Sequence, residues 1–316
     1  MVNARNMDVL RVSEDRAAHG EGPIWDARTQ NLHWVDMLAG DLLSLRVSDG
    51  FAHRQHVATV LAVLRPRRMG GFVMALERGF AILDDRSATP RYLGDLWTDI
   101  SVRMNDGGCD PQGRFYAGSM AYDQTPGRGT LYRLELDESV TVVLNDVTIS
   151  NGLVWSVDAE TVYYIDSATQ RVDAFDFDAG SGTFSNRRPF VLIDPTDGCP
   201  DGMTIDAEGG LWVALWGGGA VRRYTASGKL DEVVRLPVPM VTACTFGGPE
   251  LDQLFITTSQ VGCDASAADT ASGALFCARP GIAGAVLPAC AASTAMGSPY
   301  QDSTRSAFYP RTGKEA

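Results

Sequence analysis

Lysine is almost missing from this chain: Lys229 and Lys314 are the only two, and every other basic residue is arginine. Lys229 sits in a Ser-Gly-Lys turn and Lys314 near the last residue, so neither reads as a Schiff-base catalyst. Histidine is scarce as well, four in all, none beyond His56. No HExxH, GxSxG, Walker loop or GxGxxG occurs, so three large enzyme classes lose their usual signature. No apolar run approaches the ~18 residues of a membrane-spanning helix. The first 20 residues hold Arg5, Arg11, Glu14, Asp15 and Arg16 without the apolar stretch of a secretory leader, so the expected compartment is the cytoplasm. Positive charge is in deficit, 27 basic residues against 39 acidic ones, for a net charge of −12. An acidic surface repels phosphate backbones and anionic lipid, so neither a nucleic-acid nor a membrane partner is expected. The six cysteines (Cys109, Cys199, Cys244, Cys263, Cys277 and Cys290) form no CxxC pair and read as buried hydrophobes or free thiols.

What the chain does have is a repeat. One unit is an apolar strand, a polar turn, and a second strand rich in aromatic and β-branched residues. It occurs as Ile24-Trp25-Asp26 followed by Leu32-His33-Trp34-Val35-Asp36, and as Cys109-Asp110-Pro111-Gln112-Gly113 followed by Arg114 to Gly118. Further copies run from Trp155 to Asp166, from Ile205 to Ala214 and from Phe246 to Thr257, with a fainter one from Leu64 to Leu76. The turn positions Asp26, Arg67, Asp110, Asp158, Asp206 and Gly248 are 41, 43, 48, 48 and 42 residues apart. Each interval holds one four-stranded sheet, and no segment shows helical periodicity. Six such units predict an all-β, six-bladed β-propeller, with blades starting near residues 21, 62, 105, 151, 201 and 242. The expected organisation is a single domain over residues 1–290, closed by an outer strand from Met7–Val12, followed by a mobile tail at 291–316.

The innermost strands of a propeller line its channel, so equivalent positions should converge there. Four residues ahead of the first apolar anchor of each unit stand Glu21, Asn105, Asn151 and Asp201, with Thr242 in the last. Glycine follows Glu21, Asn151 and Asp201, where it permits unusual backbone angles or close chain approach. Oxygen-bearing side chains aimed at one axial point suit a hard cation: Ca2+, Mg2+ or Mn2+ rather than a thiolate metal. Asn-Gly and Asp-Gly are also common turn dipeptides. Asp110-Pro111-Gln112-Gly113 and Asp206-Ala207-Glu208-Gly209 are therefore read as hairpin turns; equal register across separate repeats favours a channel site for the others. His19 is read as structural, and His53 and His56 as solvent-facing.

At these residues the chain resembles the senescence marker protein (regucalcin)/gluconolactonase/luciferin-regenerating enzyme family. The matching stretches are Gly20–Trp25, Arg103-Met104-Asn105-Asp106-Gly107 on to Ala117–Met120, Ile149–Leu153, Pro200–Met203 and Phe246–Gly248. The resemblance covers all six units and implies one divalent cation in the channel, Ca2+ first, with Mg2+, Mn2+ or Zn2+ as further candidates. By the same resemblance the metal ligands fall on Glu21, Asn151 and Asp201, and the substrate residues on Arg103 and Asn105. A position that is commonly Glu in the family is Asp123 here, a shorter carboxylate expected to reach a sugar hydroxyl from the loop Met120–Gly129. The activity implied is metal-dependent hydrolysis of aldono-lactones such as glucono-1,5-lactone, with Asp201 as general base beside the metal. An organophosphate or aryl ester hydrolase, or a calcium-binding regulator without turnover, are the alternatives. The expected partner is a small-molecule sugar lactone; the oligomeric state is left open.

Overall fold

A computed structural model describes residues 7–47, 50, 52–86, 88–263 and 271–292. Six antiparallel four-stranded sheets stand around a central channel. Their inner strands are Gly20–Asp26, Leu61–Pro66, Val102–Cys109, Ser150–Trp155, Cys199–Ile205 and Val241–Gly247, matching the six expected blade starts. The only helical segments among the described residues are three single turns of 3-10 helix, and no helix is long and apolar enough to cross a membrane. Each of the first five blades is one continuous stretch of chain that winds outward from the channel. The sixth takes its inner three strands from residues 241–278 and its outermost from Leu10–Arg11, which pairs with Phe276–Ala278. The closing strand is thus shorter than the expected Met7–Val12.

Between blades the core is aromatic, because the second strands carry their bulky side chains on the faces that neighbouring sheets cover. Trp212 of blade 5 meets Phe246 of blade 6 edge to face at 5.6 Å, and Phe80 of blade 2 meets Phe115 of blade 3 at 5.7 Å. Trp25 of blade 1 stacks on Phe255 of blade 6 at 6.4 Å. Each pair adds about 0.5–1.5 kcal/mol beyond the area it buries. All six cysteines are free thiols, four of them buried.

The hairpin aspartates hold the blades from within. Asp206 is fully buried and accepts from Trp212 Nε1 at 2.8 Å, Arg223 Nε at 2.8 Å and the Gly210 amide at 2.8 Å. Asp110 does the same in blade 3, with Arg114 Nε at 2.5 Å and Tyr116 Oη at 3.1 Å. Both sit in hairpin turns, as the sequence indicated. Past the last strand, Ala291 and Ala292 are built into the ring: Ala292 is buried, and its carbonyl accepts from Arg67 Nε at 3.1 Å. Residues 293–316 of the expected tail lie outside the described residues.

Candidate active site at the channel mouth

All six inner strands share one irregularity. Against its neighbour, each carries one extra residue, at the step from Glu21 to Ile24, Leu61 to Val63, Met104 to Gly107, Ser150 to Leu153, Pro200 to Met203 and Val241 to Ala243. A bulge of this kind re-aims a side chain that regular pleating would put against a neighbouring sheet. It falls on the equivalent positions Ala62, Asn105, Asn151, Asp201 and Thr242, and in blade 1 directly after Glu21, which still pairs with Val35. The glycines that follow have separate reasons. Gly22 adopts a left-handed φ of 50°. A Cβ on Gly202 would stand 2.4 Å from Ala243 Cβ, and one on Gly152 2.7 Å from Met203 Cγ, so these two let adjacent inner strands close up.

The mouth formed where the inner strands begin is a cavity of about 440 Å³, walled by Glu21, Arg103, Asn105, Asn151 and Asp201 together with His19, Met120, Gln124, Cys199 and Trp216. Five of the six sequence-nominated residues therefore meet in one place. A hydrogen-bond relay across three blades fixes two of them. Arg103 Nη1 donates to Asn105 Oδ1 at 2.6 Å. Asn105 Nδ2 donates to Asn151 Oδ1 at 3.0 Å and to the Ser150 carbonyl at 2.7 Å. Asn151 Nδ2 donates to Ser167 Oγ at 2.7 Å, and Ser167 donates to the Pro200 carbonyl at 2.6 Å. A guanidinium at one end can only donate and a carbonyl at the other can only accept, so both amides have one orientation. Asn151 Oδ1 keeps one lone pair for a ligand. Asn105 has both amide hydrogens engaged, so it can offer a ligand only the second lone pair of Oδ1.

The electrostatics are those of two buried acids with too little compensation. Burial, and then the negative charge of Asp106, push the Glu21 carboxyl up to about 8, against the Gly22 amide, Arg103 and Arg65. Burial and the Glu21 charge push Asp201 well above the usual carboxylate range. Among the described residues no hydrogen-bond donor reaches the Asp201 carboxylate. Burial draws the Arg103 guanidinium down, partly offset by Tyr122, Glu21 and Asp201. Arg103 also lies under the Tyr122 ring, 5.6 Å from its centre. Among the described residues no three His, Cys, Asp or Glu side chains already converge as a metal cluster.

Asp123 is the exception. It is exposed, absent from the cavity wall, and its Oδ1 accepts from the Thr125 amide at 3.0 Å, a contact that lowers its pKa. The expectation that it reaches into the pocket is corrected for a physical reason: a short carboxylate in a turn caps its own backbone. The loop still forms part of the wall, through Met120, Gln124 and Pro126.

Sequence reasoning missed His19, Cys199 and Trp216. For His19 a signal was available, since residues two apart on a strand share a face and Glu21 is two positions on. His19 is buried, its Nε2 lies 3.9 Å from Glu21 Oε1, and burial and then Arg103 hold its pKa down at about 4. It packs edge to face on Trp216 at 5.8 Å. A second cavity, of about 470 Å³, opens at the far ends of the same strands. It contains none of the nominated residues, and its wall is mainly apolar, with Ile24, Leu153, Trp155 and Met203; Arg65 and Asp106 lie on the side nearer the first.

With the geometry established, known proteins provide a comparison. Residues 19–260 match the model of the SMP-30/Gluconolactonase/LRE-like region. The chain is 36% identical to regucalcin from Danio rerio over 259 residues, which cover 81% of this chain and 88% of that one. It is 35% identical over 257 residues to a Bacillus subtilis protein provisionally named a sugar lactone lactonase, YvrE, covering 80% and 87%. Among solved structures, a luciferin-regenerating enzyme superposes with a TM-score of 0.84 at 32% identity, over 90% of this chain and all of that one.

Proposed function

The chain belongs to the SMP-30/gluconolactonase/LRE-like family, and from that premise we propose that it is a divalent-cation-dependent hydrolase of sugar lactones, opening an aldono-lactone such as glucono-1,5-lactone to the sugar acid. Membership supports lactone hydrolysis at the level of the family. The observation that carries the finer reading is the pairing of Glu21 and Asp201, two buried carboxylates at one channel mouth beside an amide oxygen held in a fixed orientation. The donor chemistry fits a cation. Two carboxylates and Asn151 Oδ1 are hard oxygen ligands, and an Asp201 carboxylate without a hydrogen-bond donor is costly to ionise unless positive charge lies close. Glu21, Asn151 and Asp201 would hold the ion, and when bound it supplies Lewis-acid polarisation of the lactone carbonyl.

The chain's own residues do the rest. Asp201 takes a proton from the attacking water at its carboxylate and returns it to the ring oxygen as the lactone opens. Arg103 holds substrate hydroxyls. Its Nη1 is committed to Asn105, Met104 and Met37, while among the described residues Nη2 makes no hydrogen bond to protein. Asn105 works through its neighbours, orienting Arg103 on one side and Asn151 on the other. Trp216, Met120 and Pro126 give the cavity apolar walls that limit water. The test is hydrolysis of glucono-1,5-lactone by the full chain, before and after chelation and after restoring a divalent ion. Turnover that survives complete removal of metal refutes the cation reading. Folded, metal-loaded protein without turnover on any aldono-lactone refutes the lactonase reading and leaves a binding protein.

A further inference from the structure

Ser259 gives one ring nitrogen of His19 a partner that can accept. Ser259 Oγ has one hydrogen to donate and two lone pairs to accept with. It lies 3.3 Å from the Ala18 carbonyl, which can take the hydroxyl hydrogen. The Val261 amide donates to it at 2.9 Å, taking one lone pair. His19 Nδ1 stands 2.8 Å from the same oxygen and donates to its second lone pair when the hydroxyl points to Ala18. In that tautomer the ring carries its hydrogen on Nδ1, and Nε2 has a bare lone pair. That lone pair lies at the cavity wall, 3.9 Å from Glu21 Oε1. The separation is too long for a hydrogen bond in either protonation state. A tetrahedral ion about 2.1 Å from each of two donors holds them about 3.4 Å apart, so a shift of about half an ångström brings the two atoms to one ion.

We propose that His19 Nε2 is a ligand of the cation that Glu21 holds, so that the site presents a nitrogen donor as well as oxygens. The inference rests on the cation reading above and narrows it. Imidazole is a poor ligand for Ca2+, which collects oxygens, and a good one for Zn2+ and neighbouring first-row ions. The resident ion is therefore of the zinc class rather than calcium. Ser259 acts as a positioning residue: it accepts from Nδ1–H and fixes the direction of Nε2, the arrangement usual for histidines that bind metal.

The experiment uses the full chain stripped of metal by chelation. Zn2+ and Ca2+ affinities are measured separately by competition with a chromophoric chelator, for the native protein, His19→Gln and Ser259→Ala. X-ray absorption at the zinc edge is recorded with one equivalent of Zn2+. His19→Gln is expected to lower Zn2+ affinity at least tenfold and to leave Ca2+ affinity within about twofold. Ser259→Ala is expected to lower Zn2+ affinity about 10–100-fold. The native zinc edge should contain imidazole scattering that His19→Gln removes. An unchanged ratio of Zn2+ to Ca2+ affinity in His19→Gln, or a native zinc edge without imidazole, overturns the proposal and leaves the oxygen-ligated site standing. Folded native protein that binds neither ion overturns the cation reading itself. If His19→Gln does not fold, the native edge together with Ser259→Ala still decides.

Discussion

Removing metal should make this protein less stable as the pH rises from 6.5 to 8, the opposite of the trend expected for ordinary salt-bridged carboxylates. Glu21 and Asp201 are the reason. The Glu21 carboxyl is raised to about 8 in the fold, against an ordinary value of 4.5, and Asp201 is raised well above the usual carboxylate range. Between those values the folded chain keeps a proton that the unfolded chain has released, so stability is greatest at the acid side and drains away towards pH 8. Full retention of one proton corresponds to about 1.4 kcal/mol per pH unit, so Glu21 alone contributes about 1.7 kcal/mol between pH 6.5 and 8, and Asp201 adds to the decline. Below 6.5 the two buried histidines, His19 and His33, both held at about 4, oppose the carboxyls, because there the unfolded chain gains protons that the fold refuses. The assay is urea unfolding followed by tryptophan fluorescence, in chelator, at half-unit steps from pH 6 to 8. A saturating divalent ion should remove the decline, since it holds the carboxylates ionised, and Glu21→Gln should make it shallower without metal. A flat or rising unfolding free energy for the metal-free native chain between 6.5 and 8 would refute the reasoning. So would an identical decline in Glu21→Gln.

Arg103→Ala should lower kcat/KM for a hydroxylated lactone by about 10–100-fold, the equivalent of one charged hydrogen bond of 1.5–3 kcal/mol. A simple unhydroxylated lactone should be nearly unaffected, and equal losses on both would assign Arg103 to the fold. Asn105→Ala should behave differently, reducing divalent-ion affinity and turnover of both substrates, because Asn151 Oδ1 loses the donor that orients it. Asp123→Ala should change kcat/KM by less than about twofold, whereas Tyr122→Ala, which uncovers Arg103, should cost about 0.5–2 kcal/mol of substrate binding, seen as a higher KM. Asp206→Ala should destabilise the chain by about 1–3 kcal/mol, since it leaves Arg223 Nε and the Trp212 indole without an acceptor in the core while Asp231 and Glu208 still hold the guanidinium; urea unfolding measures it.

The blade count was legible because the repeat is written in residues that a turn and a packed strand both need: aspartate at the hairpin, aromatics just after it. The channel residues were legible for a related reason. Equal register from the apolar anchor placed Glu21, Asn151 and Asp201 at equivalent points, and the structure adds the cause, a bulge at that step of every inner strand. Contacts between distant blades were not legible. Nothing near His19 in sequence announces Ser259, 240 residues away, or Trp216, yet these two set the direction of its ring. Asp123 misled for the converse reason: what decides its direction is a local amide at Thr125, and the competition between a turn and a ligand depends on loop geometry.

The closing strand has a consequence for how the molecule is made. Leu10–Arg11 pairs with Phe276–Ala278, so the ring is sealed by the two most widely separated strands of the chain. During synthesis blade 1 can form early, but the strand ahead of it has no partner until residue 278 has left the ribosome. Until then the growing arc has an open face at each end, and its terminal sheets expose the aromatic surfaces that the ring later covers. Folding should therefore contain a late step whose rate follows this longest loop closure, well separated from the formation of individual blades. Substitutions at Val12, which packs against the apolar cluster that includes Phe255 and Leu275 and whose amide donates to the Leu275 carbonyl, would slow that step and favour association between incomplete arcs, while leaving the chemistry of the finished channel unchanged. A circularly permuted chain, with its ends moved to a loop within a blade and residues 11 and 276 brought close in sequence, would turn the last contact to form into one of the first.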